Sequence, residues 1–157
     1  MFNLRAYGLL INELNQILVS DEYILGEYFT KFPGGGVELG EGTRDCLKRE
    51  FKEEMDLNIK VKDHFYTTDF FQPSAFRKGD QIVSIYYFVK PLEEIKIPLT
   101  QKPFDFSENQ LKVYKETEQI ETFRFIDLEK FNSDCVSLPI DKIVAKMLVE
   151  NPVFRKI

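Results

Sequence analysis

Short apolar runs separated by turn residues fill the first part of the chain. The runs Tyr7–Ile11 and Gln16–Val19 flank a polar turn at Asn12–Asn15, which predicts a β-hairpin. A further apolar run, Tyr28–Phe32, predicts a third short strand. It stops at Pro33–Gly36, where a proline and three glycines predict a break that needs a glycine-permissive backbone.

Two segments have the spacing of an amphipathic helix. The pattern of Thr43–Met55 predicts a helix with Thr43 as its N-cap. Its core-facing stripe is expected to comprise Cys46, Leu47, Phe51 and Met55. The pattern of Pro139–Glu150 predicts the last helix, because proline suits a first helical turn. Its apolar face would comprise Ile140, Ile143, Val144, Met147 and Leu148.

Strand and loop patterns alternate in the middle of the chain. The apolar positions of Ile59–Phe71 indicate strands, and Gln81–Lys90 indicates a buried strand that follows a turn at Arg77–Asp80. Two prolines and many charges predict a long loop with a short helix over Pro91–Thr122. A late strand is expected at Phe123–Ile126. Strands outnumber helices, so the sequence predicts a mixed α+β fold.

Composition narrows the class of protein. The chain has 157 residues, 43% of them hydrophobic, which is enough for one domain over 1–157 with its own core. The net charge of −5 argues against a nucleic-acid partner, because binding phosphate backbones requires a basic surface. A local basic pocket for a small phosphorylated ligand remains compatible with this balance.

The same composition bears on location. No apolar stretch approaches the roughly 18 residues that a membrane span requires, so no membrane association is expected. Asn12, Glu13 and Asn15 interrupt the first apolar run too early for a signal peptide. The two cysteines, Cys46 and Cys135, exclude a disulfide scaffold and fit a reducing compartment. We therefore expect a cytoplasmic protein.

The segment that carries chemistry is PGGGVELGEGTRDCLKREFKEEMDL, residues 33–57. On the predicted helix, Glu50, Glu53 and Glu54 stand at i, i+3 and i+4, so their carboxylates share one face and repel one another. A hard divalent cation such as Mg²⁺ would turn that repulsion into attraction. Arg49 is placed to pair with Glu53 and orient the carboxylates, and Glu41 can fold back towards them.

Three glutamates on a helix are by themselves typical of a solvated acidic face. The glycine turn and Glu41 at fixed offsets distinguish this segment, which resembles the Nudix box, G-x5-E-x7-R-E-U-x-E-E-x-G-U, where U is a bulky apolar residue. Gly35 and Glu41 match the first two letters, and Phe51 and Leu57 fill apolar positions. The remaining match comprises Arg49, Glu50, Glu53 and Glu54.

One position departs from that pattern, since Asp56 stands where the family has its second glycine. A glycine just past a helix end usually adopts a left-handed backbone, which aspartate tolerates at modest cost. We expect a local adjustment of the helix exit and an intact carboxylate face.

The resemblance implies a Nudix-type α/β/α sandwich, with a mixed β-sheet between helices. It also implies a pyrophosphohydrolase that uses Mg²⁺ (or Mn²⁺) to cleave a nucleoside diphosphate linked to another moiety. By the same resemblance, Glu50 and Glu54 would be primary metal ligands, Glu53 a further ligand and Gly34 a backbone carbonyl ligand. Arg49 would orient the glutamates and Glu41 would support the loop before the helix.

The motif gives less support for the remaining candidate site residues. The resemblance leaves the general base open between a glutamate of the box and an acidic residue of the late loop, where Glu118 is favoured over Glu116 and Glu121. Arg5, Gly35 and Glu41 are the candidate substrate-binding residues. Aromatic side chains such as Tyr7 and Tyr28 are interpreted as core, with stacking on a base as the alternative.

The substrate stays open among nucleotide sugars, ADP-ribose, dinucleoside polyphosphates and damaged nucleoside triphosphates, because loops set selectivity on such a scaffold. One alternative is a Nudix domain that binds a ligand without turnover. Another is an acidic interaction domain in which the motif is accidental. The partner is expected to be a small-molecule nucleotide derivative, and a homodimer is plausible for the family.

Overall fold

The computed structural model describes residues 1–151, which form an α+β structure. The strands are β1 (Phe2–Leu10), β2 (Gln16–Ile24), β3 (Glu27–Lys31), β4 (Gly34–Gly36), β5 (Ile59–Thr67), β6 (Gln81–Pro91) and β7 (Gln119–Asp127). The helices are α1 (Thr43–Met55), α2 (Glu108–Thr117) and α3 (Pro139–Glu150), and a 3₁₀ turn covers Ser133–Cys135. None of the helices in this described part of the chain has the length and apolar character needed to cross a bilayer.

The chain divides into two compact units. The first comprises Met1–Leu10 and Pro33–Ile97, and the second comprises Ile11–Phe32 and the chain from Pro98 onward. The first unit contains a mixed sheet with strand order β4-β1-β6-β5, in which β1 and β6 are parallel and the other pairs antiparallel. The second contains an antiparallel sheet with order β3-β2-β7.

Helix α1 packs on β1 in the first unit. A Cβ built on Gly8 would lie 2.7 Å from the ring of Phe51, so α1 covers the face of β1 that Gly8 presents. The predicted stripe is confirmed, since its members are at most 1% exposed: Cys46, Leu47, Phe51 and Met55. The predicted N-cap is wrong. Gly42 is the N-cap, and the hydroxyl of Thr43 contacts Tyr87 Oη at 2.7 Å.

The departure at Asp56 has the predicted outcome. Asp56 ends α1 in the left-handed conformation, with φ 48° and ψ 40°. Its N–H donates to the Lys52 carbonyl (3.1 Å) and the N–H of Leu57 donates to the Phe51 carbonyl (3.3 Å), which closes the helix exit. Lys52 Nζ also lies 2.7 Å from Asp56 Oδ1.

The second unit is organised around a buried ion pair. Asp21 on β2 is fully buried, and it accepts hydrogen bonds from Arg124 Nε (2.6 Å), Arg124 Nη2 (3.2 Å) and the Thr30 hydroxyl (2.7 Å). The N–H of Phe104 adds a longer contact of 3.3 Å. Both carboxylate oxygens therefore have partners, as a buried charge requires.

Several local predictions need correction. The predicted β-hairpin is confirmed only at its turn, where Asn12 N–H donates to the Gln16 carbonyl (2.9 Å) and Ile11 forms an antiparallel bridge with Ile17; β1 and β2 themselves belong to different sheets. The glycine break is itself a strand, β4, because it pairs with β1. The strand predicted up to Phe71 ends at Thr67. The predicted long loop does contain a helix, α2, and β7 begins before Phe123.

Candidate active site

Strand β4 and helix α1, both in the first unit, carry the site. Gly34 has φ +150°, in a region that side chains rarely adopt. A Cβ there would lie on the carbonyl oxygen of Ala6 and 2.8 Å from Cα of Tyr7. Glycine therefore allows β4 to approach β1 closely enough to pair with it.

The carboxylate of Glu50 lies directly on β4. A Cβ built on Gly35 would stand 2.5 Å from Glu50 Oε1 and 2.8 Å from Oε2. The side chain of Glu50 is only 13% exposed. The missing side chain at position 35 thus leaves the space that this carboxylate fills.

Arg49 holds the acidic side chains together. It donates to Glu41 through two nitrogens, Nε to Oε2 at 3.0 Å and Nη2 to Oε1 at 2.6 Å. Its Nη1 donates to Glu50 Oε1 (2.9 Å) and Glu53 Oε2 (3.3 Å), and its Nη2 also reaches the carbonyl of Gly36 (2.9 Å). The predicted pair of Arg49 with Glu53 is therefore present. Forked donation to a carboxylate fixes the plane of both groups.

The electrostatics of this cluster favour permanent charges. The hydrogen bonds from Arg49 and from the backbone of Glu38 lower the pKa of Glu41 to about 2. The hydrogen bond to Glu41 in turn raises the pKa of Arg49 further. Burial raises the pKa of the nearby Cys46 thiol to about 12, which keeps it neutral. Glu41 and Arg49 consequently stay paired at any ordinary pH.

The donors at this site suit a hard cation. Glu50, Glu53 and Glu54 supply carboxylate oxygens from one helix face, and Gly34 carries a backbone carbonyl next to the strand position on which Glu50 rests. Oxygen-only donor sets fit Mg²⁺ and Mn²⁺. Within residues 1–151, no three acidic, histidine or cysteine side chains converge as they stand into a group that could hold an ion. Arg49 instead bonds to two of the glutamates.

The candidate substrate-binding residue Arg5 lies on β1, directly opposite Gly36 of β4. Its Nε donates to the hydroxyl of Tyr7 at 2.6 Å. The interpretation of Tyr7 as core is confirmed, since it is 4% exposed, whereas that of Tyr28 is wrong, since Tyr28 is 54% exposed. The contact of Tyr7 with Arg5 was missed, although the i, i+2 spacing on one strand face was the available signal.

The late-loop glutamates all lie in the second unit. Glu118, the favoured base, is exposed and follows α2 in a left-handed conformation (φ 57°). Its backbone N–H donates to Tyr114, and its carbonyl accepts from Leu25 N–H (3.0 Å). Glu116 is exposed on α2. Glu121 is on β7, where it accepts from the Ser20 hydroxyl (2.5 Å).

Comparisons with known proteins agree with this geometry. The family model of the NUDIX domain matches residues 1–147, which confirms the resemblance drawn from residues 35–57. No curated protein sequence matches the chain.

Solved structures were compared as well. The E. coli ORF135 protein has 15% identity and a TM-score of 0.68, covering 96% of this chain and 92% of its own. A MutT NUDIX hydrolase from Burkholderia pseudomallei has 14% identity and a TM-score of 0.65, with coverages of 95% and 98%. An ADP-ribose pyrophosphatase from Streptococcus suis has 13% identity and a TM-score of 0.57, with coverages of 95% and 92%. At these identities the likeness concerns the fold, and it confirms the predicted fold class.

Proposed function

The chain belongs to the Nudix family of hydrolases that act on phosphoric anhydrides, and we propose that it is a metal-dependent pyrophosphohydrolase. The bond cleaved would be the diphosphate linkage of a nucleoside diphosphate joined to another moiety. Nucleotide sugars, ADP-ribose and nucleoside triphosphates are the substrate types to consider.

One observation carries the proposal: the Glu50 carboxylate lies against Gly35, and Arg49 ties it to Glu41 and Glu53. Acidic side chains at this helical spacing repel one another, so the arrangement costs free energy unless a cation offsets it. Arg49 offsets part of that charge. A site that concentrates carboxylates beside a strand backbone is suited to binding a divalent cation together with substrate phosphates.

The residues that would hold Mg²⁺ or Mn²⁺ are Glu50 and Glu54, with Glu53 as a further ligand and the carbonyl of Gly34 as a backbone ligand. The bound cation supplies charge neutralisation at the diphosphate oxygens. Arg49 orients Glu50 and Glu53 through its two Nη1 contacts. Glu41, held ionised by Arg49, ties the loop before α1 to the helix.

The general base is proposed to be Glu118, whose carboxylate would accept a proton from the attacking water. Glu118→Gln is expected to lower kcat at least tenfold with little change in KM, because the amide cannot accept that proton. The matched variant is Glu116→Gln, on exposed α2. A larger loss of kcat in Glu116→Gln than in Glu118→Gln would reassign the base.

The names of the structural relatives support the reaction class. One is described as an ADP-ribose pyrophosphatase and another as a MutT NUDIX hydrolase. Both descriptions are consistent with cleavage of a phosphoric anhydride. They do not favour one substrate type over another for this chain.

The decisive experiment is a phosphate- and nucleotide-release screen over these substrate types, with Mg²⁺ and Mn²⁺ in parallel. We expect turnover of at least one type, and a loss of at least about 100-fold in Glu54→Gln. Glu94→Gln is the matched control, since Glu94 is an exposed glutamate of the same unit. Binding without turnover would contradict hydrolysis and indicate the ligand-binding alternative. Equal rates in Glu54→Gln and wild type would contradict the assigned ligands.

We propose in addition that residues 1–157 form one domain, that the protein is cytoplasmic and that it is a homodimer. Limited proteolysis tests the first, since a single domain should resist cleavage near residues 10, 32 and 97, where the chain passes between the two compact units. Cell fractionation and light scattering test the other two.

A further inference from the structure

A surface cavity of about 360 Å³ lies beside α1, at the edge strand β5 of the four-stranded sheet. Its volume is within the range of small-molecule binding pockets. Two residues of α1, three of β5 and one that follows β6 line it: Arg44, Lys48, Ile59, Lys60, Val61 and Leu92. None of these six belongs to the acidic site, where the same helix places Glu50 against β4. The cavity is therefore a separate feature of the first unit.

The charged residues that line the cavity are all positive. Arg44 and Lys48 stand four residues apart on α1 and repel each other, and Lys60 adds a third positive charge from β5. In the described part of the chain, neither Lys48 nor Lys60 forms an ion pair. Lys52, the next cation along α1, differs because it pairs with Asp56 at 2.7 Å. A protein of net charge −5 thus has a cavity whose local charge suits an anion.

Arg44 is held in place by uncharged groups. Its Nη1 donates to the carbonyls of Val61 (3.1 Å) and Lys62 (2.9 Å) on β5. Its Cζ lies 4.8 Å from the centre of the Tyr87 ring, and that ring is buried, with its hydroxyl 2.7 Å from the hydroxyl of Thr43. Among the described residues, no carboxylate forms an ion pair with Arg44. The guanidinium is therefore oriented before any ligand arrives, and its charge is not neutralised by the protein.

The rest of the lining is apolar. Ile59 and Val61 are buried, and they form the inner part of the cavity. Leu92 is 63% exposed, although its backbone is fixed by a hydrogen bond from its N–H to the Asn58 carbonyl (2.9 Å). A ligand with an apolar group at this position would remove the Leu92 side chain from water. The lining therefore suits an anion that also carries an apolar group.

The number of cations favours a doubly charged anion. A phosphate monoester carries about −1.5 to −2 charges at pH 7, and the forked donors of an arginine match its oxygens. A carboxylate has a single charge, which one cation would offset. Lysines on an edge strand also discourage pairing with another sheet, which accounts for Lys60 on β5 but not for Arg44 and Lys48 on α1.

We propose that this cavity is a second ligand site, which binds a phosphate monoester that carries an apolar group. Arg44 and Lys48 bind the phosphate oxygens, and Leu92 covers the apolar group. Lys60 adds to the attraction through its charge. The site does not depend on hydrolysis, because it contains none of the acidic residues on which the proposed function rests.

Calorimetric titration with phenyl phosphate tests the proposal, because this probe joins a phosphate monoester to an apolar ring. The titration is made in EDTA, which excludes metal from the acidic face, and in about 0.15 M salt, which screens charges more than about 8 Å away. Wild type should bind with a Kd of about 1 mM or tighter. Arg44→Gln and Lys48→Gln should each bind at least about fivefold more weakly, because each loses a charge-assisted contact. Lys52→Gln is the matched control, since it removes the same charge from the same helix outside the cavity, and should bind within about twofold of wild type.

Two further probes separate the parts of the ligand. Inorganic phosphate lacks the ring and should bind wild type at least about threefold more weakly than phenyl phosphate, and Leu92→Ala should remove most of that difference. Benzoate keeps the ring with a single charge and should also bind at least about threefold more weakly than phenyl phosphate. Benzoate that binds as tightly as phenyl phosphate would overturn the assignment of a phosphate. Inorganic phosphate that binds as tightly would overturn the apolar contact.

Two variants guard against misinterpretation of these titrations. Lys48→Gln decides the outcome if Arg44→Gln disturbs β5, because Lys48 is exposed and its replacement leaves the bonds of Arg44 to β5 intact. Glu54→Gln should bind phenyl phosphate as wild type does, and a change of more than about threefold would place the probe at the acidic face and overturn the site. Unchanged affinity in Lys48→Gln, an equal loss in Lys52→Gln, or no binding to wild type at about 10 mM phenyl phosphate would also overturn it.

Discussion

Glu50 occupies the space that a side chain at position 35 would need. A Cβ on Gly35 would stand 2.5 Å from both Cδ and Oε1 of Glu50, which is closer than any real contact of that kind. The first glycine of the motif and the glutamate 15 positions later are thus one packing unit. The spacing seen in the sequence has its physical reason in this contact.

Gly35→Ala should therefore displace the Glu50 carboxylate. We expect a loss of at least tenfold in kcat/KM with little loss of stability, because the atoms that must shift are the end of the flexible Glu50 side chain. Activity assays and urea denaturation measure the two effects. Gly36→Ala is the matched variant on the same strand, because its Cβ would meet only Arg5 Nη1, at 3.8 Å. A larger loss of activity in Gly36→Ala than in Gly35→Ala would contradict this argument.

The pair of Glu41 with Arg49 predicts a pH dependence of stability. The pKa of Glu41 falls from 4.5 to about 2 in the folded protein, so the folded state binds fewer protons in that range. Its stabilisation is present above pH 4.5 and is lost as the pH falls towards 2. Glu41→Gln should accordingly lower Tm at pH 6, and the difference from wild type should shrink between pH 4.5 and 2.

The comparison is made in EDTA by thermal denaturation at each pH. Glu38→Gln serves as the control, because Glu38 lies 3.7 Å from Arg49 Nη1 with a side chain 69% exposed. The difference in Tm between Glu38→Gln and wild type should be small at all pH values, as expected for an exposed ion pair. A Glu41→Gln difference that stays constant down to pH 2 would refute the assignment.

The buried pair of Asp21 and Arg124 should dominate the stability of the second unit. Asp21→Asn leaves the charge of Arg124, which is 9% exposed, without its partner and should cost about 3 to 5 kcal/mol. Urea denaturation measures this loss. Glu150→Gln breaks an exposed pair with Lys146 (3.9 Å) and should cost less than about 0.5 kcal/mol.

A second variant separates the missing charge from a general loss of packing. Replacing Asp21 by Leu and Arg124 by Met together removes both charges, and should destabilise less than Asp21→Asn alone. If the double variant were the less stable of the two, the cost would come from packing and hydrogen bonding instead of the unpaired charge.

Local patterns predicted the helices well. The apolar stripe of α1 and the span Pro139–Glu150 of α3 follow directly from the 3.6-residue period, which is a property of neighbouring residues. The left-handed Asp56 could be predicted for the same reason, since the helix exit is settled within a few residues. The N-cap at Gly42 could not, because Thr43 is itself a favourable capping residue and its hydroxyl contacts Tyr87, far along the chain.

Strand pairing depends on residues that are far apart in the chain, and the local sequence pattern predicted it incorrectly. A polar turn between two apolar runs predicts a hairpin. Apart from the bridge of Ile11 with Ile17, however, β1 pairs in parallel with β6 and antiparallel with β4, and β2 pairs with β3 and β7. The local pattern of Gly34–Gly36 predicts a break in the strand, whereas these glycines form strand β4 because they approach and pair with β1. For the site, the acidic face and Arg49 could be predicted from helical spacing. The contact of Arg5 with Tyr7 was missed because the predicted strand began at Tyr7 and left Arg5 outside it, whereas β1 begins at Phe2.

The repulsion among Glu50, Glu53 and Glu54 predicts a response to metal that does not depend on turnover. A divalent cation bound among these carboxylates should raise Tm by about 3 to 5 °C at ten times its Kd, because only the folded chain assembles the site. Titration of Mg²⁺ and Mn²⁺ by thermal shift measures it. Glu54→Gln should lose at least half of this shift, because the amide is a weaker ligand without charge, whereas the exposed Glu94→Gln should keep all of it. A wild type that shows no shift up to millimolar metal, or a Glu54→Gln variant that shifts equally, would mean that the carboxylate face serves only to bind Arg49.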